Sequence, residues 1–260
     1  MTTDGRVPGH RGRATRQRLL DATVDLLTST PWRSVKVIDI ARAAGTSPAT
    51  FYQYFENVEQ AIGVLAEQMV ASAGDLADLV AGDWSEDGSW TTALTVTEGF
   101  LAYWEDNRAI FRVVNLATEE GDAALRGVRV RALNAVTVAL ARAISRYAPA
   151  GPDGPGSSGA ATGSPAGADP MAVAGTLVAM YASVAAHRYG FEFWGIRTRA
   201  LVDTQARLLH WAVTGRPGPD GMVGREPLRL SRASAPRTGP DLGGAVVSHR
   251  APRLPESPRP

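Results

Sequence analysis

The segment from residue 46 to residue 54 concentrates side chains that can hydrogen-bond to a nucleic acid. A tyrosine hydroxyl can donate to a phosphate oxygen while its ring packs on a sugar or a thymine methyl group, and a glutamine such as Gln53 can make a bidentate contact with adenine. Cationic side chains nearby would add attraction to phosphate. The candidate DNA-contacting residues are Lys36, Arg42, Thr46, Ser47, Ala49, Thr50, Tyr52, Gln53 and Tyr54.

Three short helices between about residues 14 and 55 are predicted to position these side chains. In the first, apolar residues recur at helical spacing from Leu19 to Leu27, and Pro31 ends the pattern. The second helix begins at about Val37. It is followed by Gly45, whose permissive backbone suits the tight turn that must come next.

The third helix is predicted to run from residue 48 to residue 54 and to carry the contact residues. Ser47 at its N-cap can accept a hydrogen bond from a backbone N–H, and Pro48 has the fixed φ that suits a first turn. Phe51 and Phe55 should face the interior, which would leave Tyr52 and its polar neighbours outside. Two short helices joined in this way can place the second in the major groove of DNA. The alternative is that these aromatic residues only fill a core or a protein interface.

Residues 37–55, VIDIARAAGTSPATFYQYF, resemble the DNA-binding signature of the tetracycline-repressor family. The matching positions are Asp39, Ile40, Ala41, Ala44, Gly45, Ser47, Thr50, Tyr52, Tyr54 and Phe55. The resemblance implies an all-α fold, in which a three-helix DNA-binding domain with a helix-turn-helix precedes a helical domain that binds a ligand and dimerises. Two positions depart from the family pattern: Lys36 stands where threonine is usual, and Val58 stands where lysine is usual.

Composition and helical patterns divide the chain into four segments. Residues 1–13 are predicted to be a flexible basic arm, residues 14–56 the DNA-binding domain, residues 57–214 the effector-binding and dimerisation domain, and residues 215–260 a disordered tail rich in proline and arginine. Later helices are predicted at residues 57–80, 89–106, 107–116, 122–147, 170–193 and 197–213. Residues 148–168 interrupt them as a flexible insert of glycine, proline, serine and alanine.

Positive and negative charges are distributed unevenly along the chain. Residues 1–60 carry 8 basic and 6 acidic groups, residues 61–214 carry 11 and 16, and residues 215–260 carry 8 and 4. The middle segment is therefore net negative and would be repelled by phosphate, whereas both ends are net positive. Any nucleic acid should meet the ends of the chain rather than its central segment.

Composition and motifs argue against several classes of protein. The sequence has no cysteine, which excludes disulfides and thiolate metal sites, and its 4 histidines lack the spacing of paired metal ligands. It contains neither a glycine-rich phosphate loop nor a Gly-x-Ser-x-Gly motif. We therefore predict no catalytic residues, no metal and no cofactor. Since no secretory signal and no apolar run of bilayer-spanning length is evident, the chain is expected to be cytoplasmic and to bind no membrane.

Aromatic residues of the central and late helices form the predicted effector pocket. A large pocket of this kind would take an apolar or amphipathic molecule, with Asn115 and His187 as polar anchors. The candidate ligand-binding residues are Phe100, Tyr103, Trp104, Phe111, Asn115, Tyr181, His187 and Trp194. Ordinary core packing is the alternative for each of them.

The helix predicted at residues 170–193 is apolar nearly all round, so it needs partners on both sides. One partner would be its own core and the other a second copy of the chain. The resemblance implies a four-helix bundle between subunits, and a homodimer also suits a palindromic DNA site. Residues of the last helix that we assign to this bundle are Leu201, Val202, Gln205, Leu208, Leu209 and Ala212.

These features together predict a ligand-responsive regulator of transcription, most simply a repressor that a small molecule releases from its operator. Its expected partners are double-stranded DNA, a second copy of the chain and the effector. We expect the effector to act through the helix at residues 57–80, which would join the two domains. Two alternatives stay open: a DNA-binding regulator that responds to no ligand, and a helical enzyme.

Overall fold

The computed structural model describes residues 9–147 and 168–219, and these residues fold almost entirely as α-helices. No β-strand occurs within these two ranges, which confirms the all-α prediction. All of them belong to one compact unit, Met1–Pro227, whereas the second unit, Leu228–Pro260, lies outside the described residues. The predicted insert at residues 148–168 and the predicted tail at residues 215–260 also lie almost wholly outside them.

The N-terminal domain consists of three α-helices and a single 3-10 turn. They are α1 (His10–Ser29), the turn (Trp32–Ser34), α2 (Val37–Ala43) and α3 (Pro48–Tyr52). Apolar side chains at helical spacing meet between these elements, because each helix has one apolar side to bury. The small core that results contains Leu19, Leu20, Ile40, Phe51 and Phe55.

Two helix bounds in this domain differ from the prediction. α1 begins at His10, so Arg11 and Arg13 lie in its first turns and not in a flexible arm. Arginine is a good helix former, and a start of this kind leaves no trace in the apolar spacing. α3 ends at Tyr52, two residues before the predicted end, and the chain turns there towards the next helix.

The long helix α4 (Val58–Val80) leads from this domain into the rest of the molecule. Its N-terminus is fixed by reciprocal caps, since Asn57 Oδ1 accepts from the Gln60 N–H at 2.8 Å and Gln60 Oε1 accepts from the Glu56 N–H at 2.7 Å. Val58, which replaces the usual lysine, is buried. The helix therefore starts in a defined direction relative to α3.

Five further helices form the second domain. They are α5 (Ser89–Asp106), α6 (Arg108–Glu119), α7 (Ala123–Tyr147), α8 (Pro170–Glu192) and α9 (Thr198–Thr214). The predicted bounds agree with these to within about three residues, the usual uncertainty at helix ends. α7 packs against α4, α6 and α8, and α9 packs mainly against α5.

α8 is strongly apolar, and only one side of it is covered by the described chain. Its inner side packs against α7 and α5, whereas Ala172, Thr176, Ala179 and Ser183 follow one another at helical spacing along an exposed side. By length and composition α8 is the one helix in the described ranges that could cross a membrane, although the sequence was expected to contain no run of that length. A core helix has the same composition, and the packing of its inner side agrees with that role.

The side of α9 that faces outward differs from the side that was predicted to form the bundle between subunits. Val202, Gln205, Leu209 and Ala212 are buried within the chain, because this side of the helix faces α5 and the core. These four residues therefore do not form a subunit interface. The exposed side of α9 instead carries Leu208 and Trp211, with Leu201 partly exposed.

Candidate nucleic-acid interface and effector core

The turn between α2 and α3 fixes the direction of α3. Gly45 has a φ of 66°, the left-handed conformation that favours glycine, and the Thr46 N–H donates to the carbonyl oxygen of Ala41 at 2.9 Å. Ser47 Oγ accepts from the Thr50 N–H at 3.2 Å, and proline occupies the first turn of α3. The predicted start of α3 is confirmed.

Two buried phenylalanines hold α3 against its domain and decide which side faces out. The rings of Phe51 and Phe55 lie 5.4 Å apart in the core, and the Arg16 guanidinium lies 5.2 Å from the Phe55 ring. On the other side Gln53 is exposed, and Tyr52 is 52% exposed. Tyr52 and Gln53 are therefore the polar side chains of this segment that are best placed to reach DNA.

Three more predicted contact residues lie at the surface of the same domain. Ala49 is exposed on α3, and Lys36 is exposed at the N-cap of α2. Arg42 is also exposed and lies 3.4 Å from the Asp39 carboxylate. Such an exposed ion pair is weak, so Arg42 can exchange Asp39 for a phosphate at little cost.

The other four predicted contact residues also contribute to the fold. The side-chain oxygens of Ser47 and Thr50 lie 3.0 Å apart at the cap of α3. Tyr54 packs against the hydrophobic core, and Thr46 is partly buried in the turn. We rank these four after Tyr52 and Gln53 as candidates for reading bases.

Five of the predicted ligand-binding residues form one buried aromatic cluster. Three of them lie on α5, one on α6 and one on α8: Phe100, Tyr103 and Trp104, then Phe111, then Tyr181. Trp104 and Phe111 stack with ring centroids 4.0 Å apart. Phe100 lies 5.2 Å from Tyr181 and 6.4 Å from Trp104, and Tyr103 meets Phe111 edge-on at 5.6 Å. The cluster therefore joins three helices through direct ring contacts.

The two tyrosine hydroxyls of the cluster are hydrogen-bonded inside the protein. Tyr103 donates to the carbonyl oxygen of Met69 on α4 at 2.9 Å, and the Tyr181 hydroxyl lies 2.8 Å from Thr97 Oγ1 and 3.1 Å from the Gln205 carbonyl oxygen. Burial raises the pKa of Tyr103 to about 12. Both groups therefore stay neutral and link the cluster to α4 and α9.

The structure does not bring His187 and Trp194 into this cluster. Tyr181 and Arg188 lie on the inner side of α8, whereas His187 is exposed with its Nδ1 2.9 Å from the Ser183 carbonyl oxygen. Trp194 follows the end of α8 and is 69% exposed. Residues seven apart share a helix face, so Arg188 lies on the same inner side of α8 as Tyr181. His187 is only six residues from Tyr181 and therefore faces another direction.

Asn115 is the third predicted ligand-binding residue that does not belong to the aromatic cluster. It lies on α6 one turn after Phe111. Its Oδ1 is buried and has no hydrogen-bond partner in the described part of the chain.

A cleft of about 480 Å³ between α4 and α5 reaches the aromatic cluster at Tyr103, which forms part of its wall. Gln68, Ser72 and Asp75 of α4 also line this cleft.

Two family models match the chain and together include most of its described part. The model for bacterial regulatory proteins of the tetR family matches residues 19–60, which contain α2 and α3. The model for the tetracyclin repressor-like C-terminal domain matches residues 76–220, more than half of the chain. The chain belongs to the tetR family.

Solved structures of tetR-family regulators have the same fold. A TetR-like transcriptional regulator from Rhodococcus sp. RHA1 is 18% identical over 78% of this chain and 96% of its own, with a TM-score of 0.52. The fatty acid degradation regulator FadR from Bacillus halodurans is 16% identical over 79% and 97%, with a TM-score of 0.54. FadR from Bacillus subtilis in complex with stearoyl-CoA is 16% identical over 77% and 98%, with a TM-score of 0.51. Among curated proteins no match was found.

In this tetR-family chain, α6 contacts the DNA-binding domain directly, a feature that sequence reasoning missed. The Arg112 guanidinium donates to the carbonyl oxygens of Thr28 and Thr30, both at 3.3 Å, at the end of α1. Arg33 of the 3-10 turn pairs with Glu120, which follows α6. The two domains are thus joined through α6 as well as through α4.

Proposed function

We propose that two copies of this chain bind a palindromic operator through α3 and act as a repressor. The observation that carries the proposal is the position of α3, where buried Phe51, together with Phe55 just after the helix, turns Tyr52 and Gln53 outward. A recognition helix held in this way can enter the major groove while Lys36 and other cations contact phosphates. As a DNA-binding regulator, the protein would work in the bacterial cytoplasm without catalysing a reaction.

Dimerisation is expected to use the exposed sides of α8 and α9. Small residues at helical spacing on α8 allow close approach of a second helix, and Leu208 and Trp211 on α9 supply apolar area that water now contacts. Burial of these surfaces against a second copy would relate the two α3 helices by a two-fold axis. They could then enter successive major grooves about 34 to 36 Å apart.

We further propose that a small apolar or amphipathic molecule binds at the aromatic cluster and lowers operator affinity. The cluster lies where α5, α6 and α8 meet, and α6 also contacts the end of α1. A ligand that parts these helices would therefore move a contact of the DNA-binding domain. FadR from Bacillus subtilis, which has this fold, was solved in complex with stearoyl-CoA, a molecule with a long apolar chain.

The second candidate is a regulator that responds to no ligand. The stacking of Trp104 on Phe111 at 4.0 Å favours it, because rings that already fill the space between helices form an ordinary core. This candidate predicts the same DNA binding and no effect of any small molecule.

Retention of DNA on a gel tests both candidates. DNA from the intergenic region upstream of the gene should be bound specifically, and at least one apolar or amphipathic compound should release it. Trp104→Ala should reduce sensitivity to that compound and leave operator affinity nearly intact, since Trp104 lies outside the DNA-binding domain. Failure to prefer any such DNA over random duplex would refute the proposed regulator, and specific binding that no compound alters would favour the second candidate.

A further inference from the structure

Arg188 is a charged side chain inside the second domain, with only 8% of the side chain exposed. Its Nη2 lies 2.9 Å from Glu105 Oε2 and donates to the Tyr189 hydroxyl at 2.6 Å. Its Nη1 is buried and has no hydrogen-bond partner in the described part of the chain. A guanidinium has five N–H donors, so this arginine has binding capacity that the fold does not use.

The charges around Arg188 leave an excess of positive charge. Arg108 lies 3.8 Å from the same carboxylate, and both arginines lie against the Tyr189 ring, at 4.4 Å and 4.7 Å. Glu105 is therefore shared by two cations. Although its Oε2 is at ion-pair distance from Arg188, it accepts no well-directed hydrogen bond. A buried guanidinium in this state favours a second anionic partner.

The surroundings of Arg188 suit the apolar part of such a partner. Glu105 directly follows Trp104 of the aromatic cluster, and Tyr181 precedes Arg188 by two turns on the same side of α8. At the end of α8, Phe193 and Trp194 are exposed. Along α8, the residue with the unused donor therefore comes between a buried aromatic residue of the cluster and two exposed aromatic residues.

We propose that Arg188 binds the carboxylate of the effector, so that the effector is an organic acid with an apolar body. The inference rests on the proposed ligand response and specifies its chemistry. The acid would occupy Nη1 and reduce the hold of Arg188 on Glu105, after the exposed side chain of Tyr189 moves aside. Because Glu105 lies in the last turn of α5, close to the start of α6, this exchange would loosen the junction from which α6 runs to the DNA-binding domain.

The two members of the ion pair should respond in opposite directions if Arg188 serves a ligand. Arg188→Gln removes the charge that attracts the acid. Glu105→Gln removes the carboxylate that competes for that charge, so it should strengthen acid binding. A purely structural ion pair would give the same sign for both variants, since loss of either partner leaves the other charge buried alone.

The test uses the full-length protein and isothermal titration with indoleacetate, naphthylacetate and decanoate, each matched with its neutral primary amide. We expect at least one acid to bind about tenfold or more tightly than its amide, the effect of one charge-assisted contact. Arg188→Gln should abolish this preference, Arg188→Lys should retain part of it, and Glu105→Gln should increase it. Arg146→Gln, at an exposed arginine of α7, is the control and should leave it unchanged.

The inference is overturned if none of the acids binds, if acids and amides bind equally, or if the preference survives in Arg188→Gln. If that variant does not fold, weaker or unchanged acid binding by Glu105→Gln overturns it instead. The same titrations with operator present separate this inference from the proposed function. Release of DNA by the amides as well as the acids would support regulation without Arg188, whereas acids that bind through Arg188 and leave operator affinity unchanged would support the site and refute the regulation.

Discussion

At the scale of single residues, the assignment of DNA contacts depends on which side chains the domain leaves outside. Tyr52 and Gln53 are exposed, whereas Ser47 caps α3 and the Thr50 hydroxyl lies 3.0 Å from Ser47 Oγ. A side chain that caps a helix cannot change partner without a cost of about 1 kcal/mol. Base reading is therefore expected to depend on the pair at the end of α3 more than on its first residues.

Gln53→Ala should weaken binding to the cognate operator by about 1 to 3 kcal/mol and change binding to random duplex little, because a bidentate contact to a base is specific. Fluorescence anisotropy with both duplexes at the same salt concentration measures the two affinities. Gln17→Ala is a matched control, since Gln17 is exposed on α1 and bonds to Asp21. Equal losses on both duplexes would assign Gln53 to the phosphates or to folding.

His210 is a buried residue with a consequence for stability. Its Nδ1 lies 3.0 Å from the carbonyl oxygen of Arg216 and so carries the proton, while Ser89 Oγ lies 3.1 Å from Nε2 and donates to it. Burial, with the nearby Arg216 charge, lowers the pKa of His210, and the hydrogen bond to the Arg216 carbonyl oxygen opposes them. The folded protein therefore binds this proton less readily than the unfolded chain does.

Stability should consequently fall as pH is lowered below the ordinary pKa of histidine, about 6.5, because the unfolded chain takes up a proton that the folded protein resists. The loss should level off below the lowered pKa of the folded state. Urea unfolding at several pH values and one protein concentration measures this trend. His210→Gln should flatten it relative to the natural protein, and His187→Gln, at an exposed histidine, should not. Parallel curves for all three proteins would contradict the assignment.

At the scale of helices, local signals in the sequence predict most of the elements. Gly45, Ser47 and Pro48 mark the turn and the start of α3 through backbone preferences that act over a few residues, and the structure has these features where expected. The register of α8 was harder to predict. A helix that is apolar nearly all round has no polar side to show which residues face inward, so its pattern cannot distinguish His187 from Arg188 as the residue that faces the core.

The contact between α6 and α1 could not have been found in the same way. Arg112 bonds to Thr28 and Thr30, which are separated from it by 84 and 82 positions in the sequence. Nothing in the local sequence indicates which carbonyl oxygens Arg112 contacts. The outer side of α9 shows a related limit. Leu208 and Leu209 are equally apolar, and only the packing against α5 decides that the second is buried.

Arg112→Met should loosen the end of α1, because it removes two hydrogen bonds from a charged donor while the aliphatic length of the side chain is kept. We expect hydrogen exchange of residues 28–34 to accelerate roughly threefold to tenfold, as for a local loss of about 1 kcal/mol. Mass spectrometry of peptides, obtained by digestion after the intact protein has been labelled, measures the change. Arg126→Met, at an exposed arginine of α7, should leave these residues unaffected. Unchanged exchange in both variants would mean that the Arg112 contact does not hold the end of α1.

At the scale of the whole molecule, the described chain leaves apolar surface on two neighbouring helices uncovered. α8 and α9 pack against each other at one edge of the second domain, and their outer sides carry small and large apolar residues. The operator-binding unit that we propose therefore needs a second copy of the chain for two reasons, namely to cover this surface and to supply the second α3.

Leu208→Glu should convert the proposed dimer to a monomer, since a carboxylate in the centre of an apolar interface has no partner. Sedimentation velocity should show the smaller species, and circular dichroism should show unchanged helix content. Affinity for a palindromic operator should fall about a hundredfold or more, because the two half-sites no longer bind as one unit. Leu116→Glu, at an exposed leucine of α6, is the matched control. A monomer that binds the operator as tightly as the natural protein would refute the two-fold arrangement.

The uncovered face of α8 and α9 also affects how the cell can set the level of repression. If subunits separate at the concentrations found in a bacterium, the amount of operator-competent protein rises with the square of the total concentration. Halving synthesis would then lower promoter occupancy by up to about fourfold, and a second gene copy would raise it steeply until the promoter is saturated. The proposed repressor would in this way respond to its own concentration before any effector is present, and growth of the cell volume, which dilutes the protein, would by itself relieve repression.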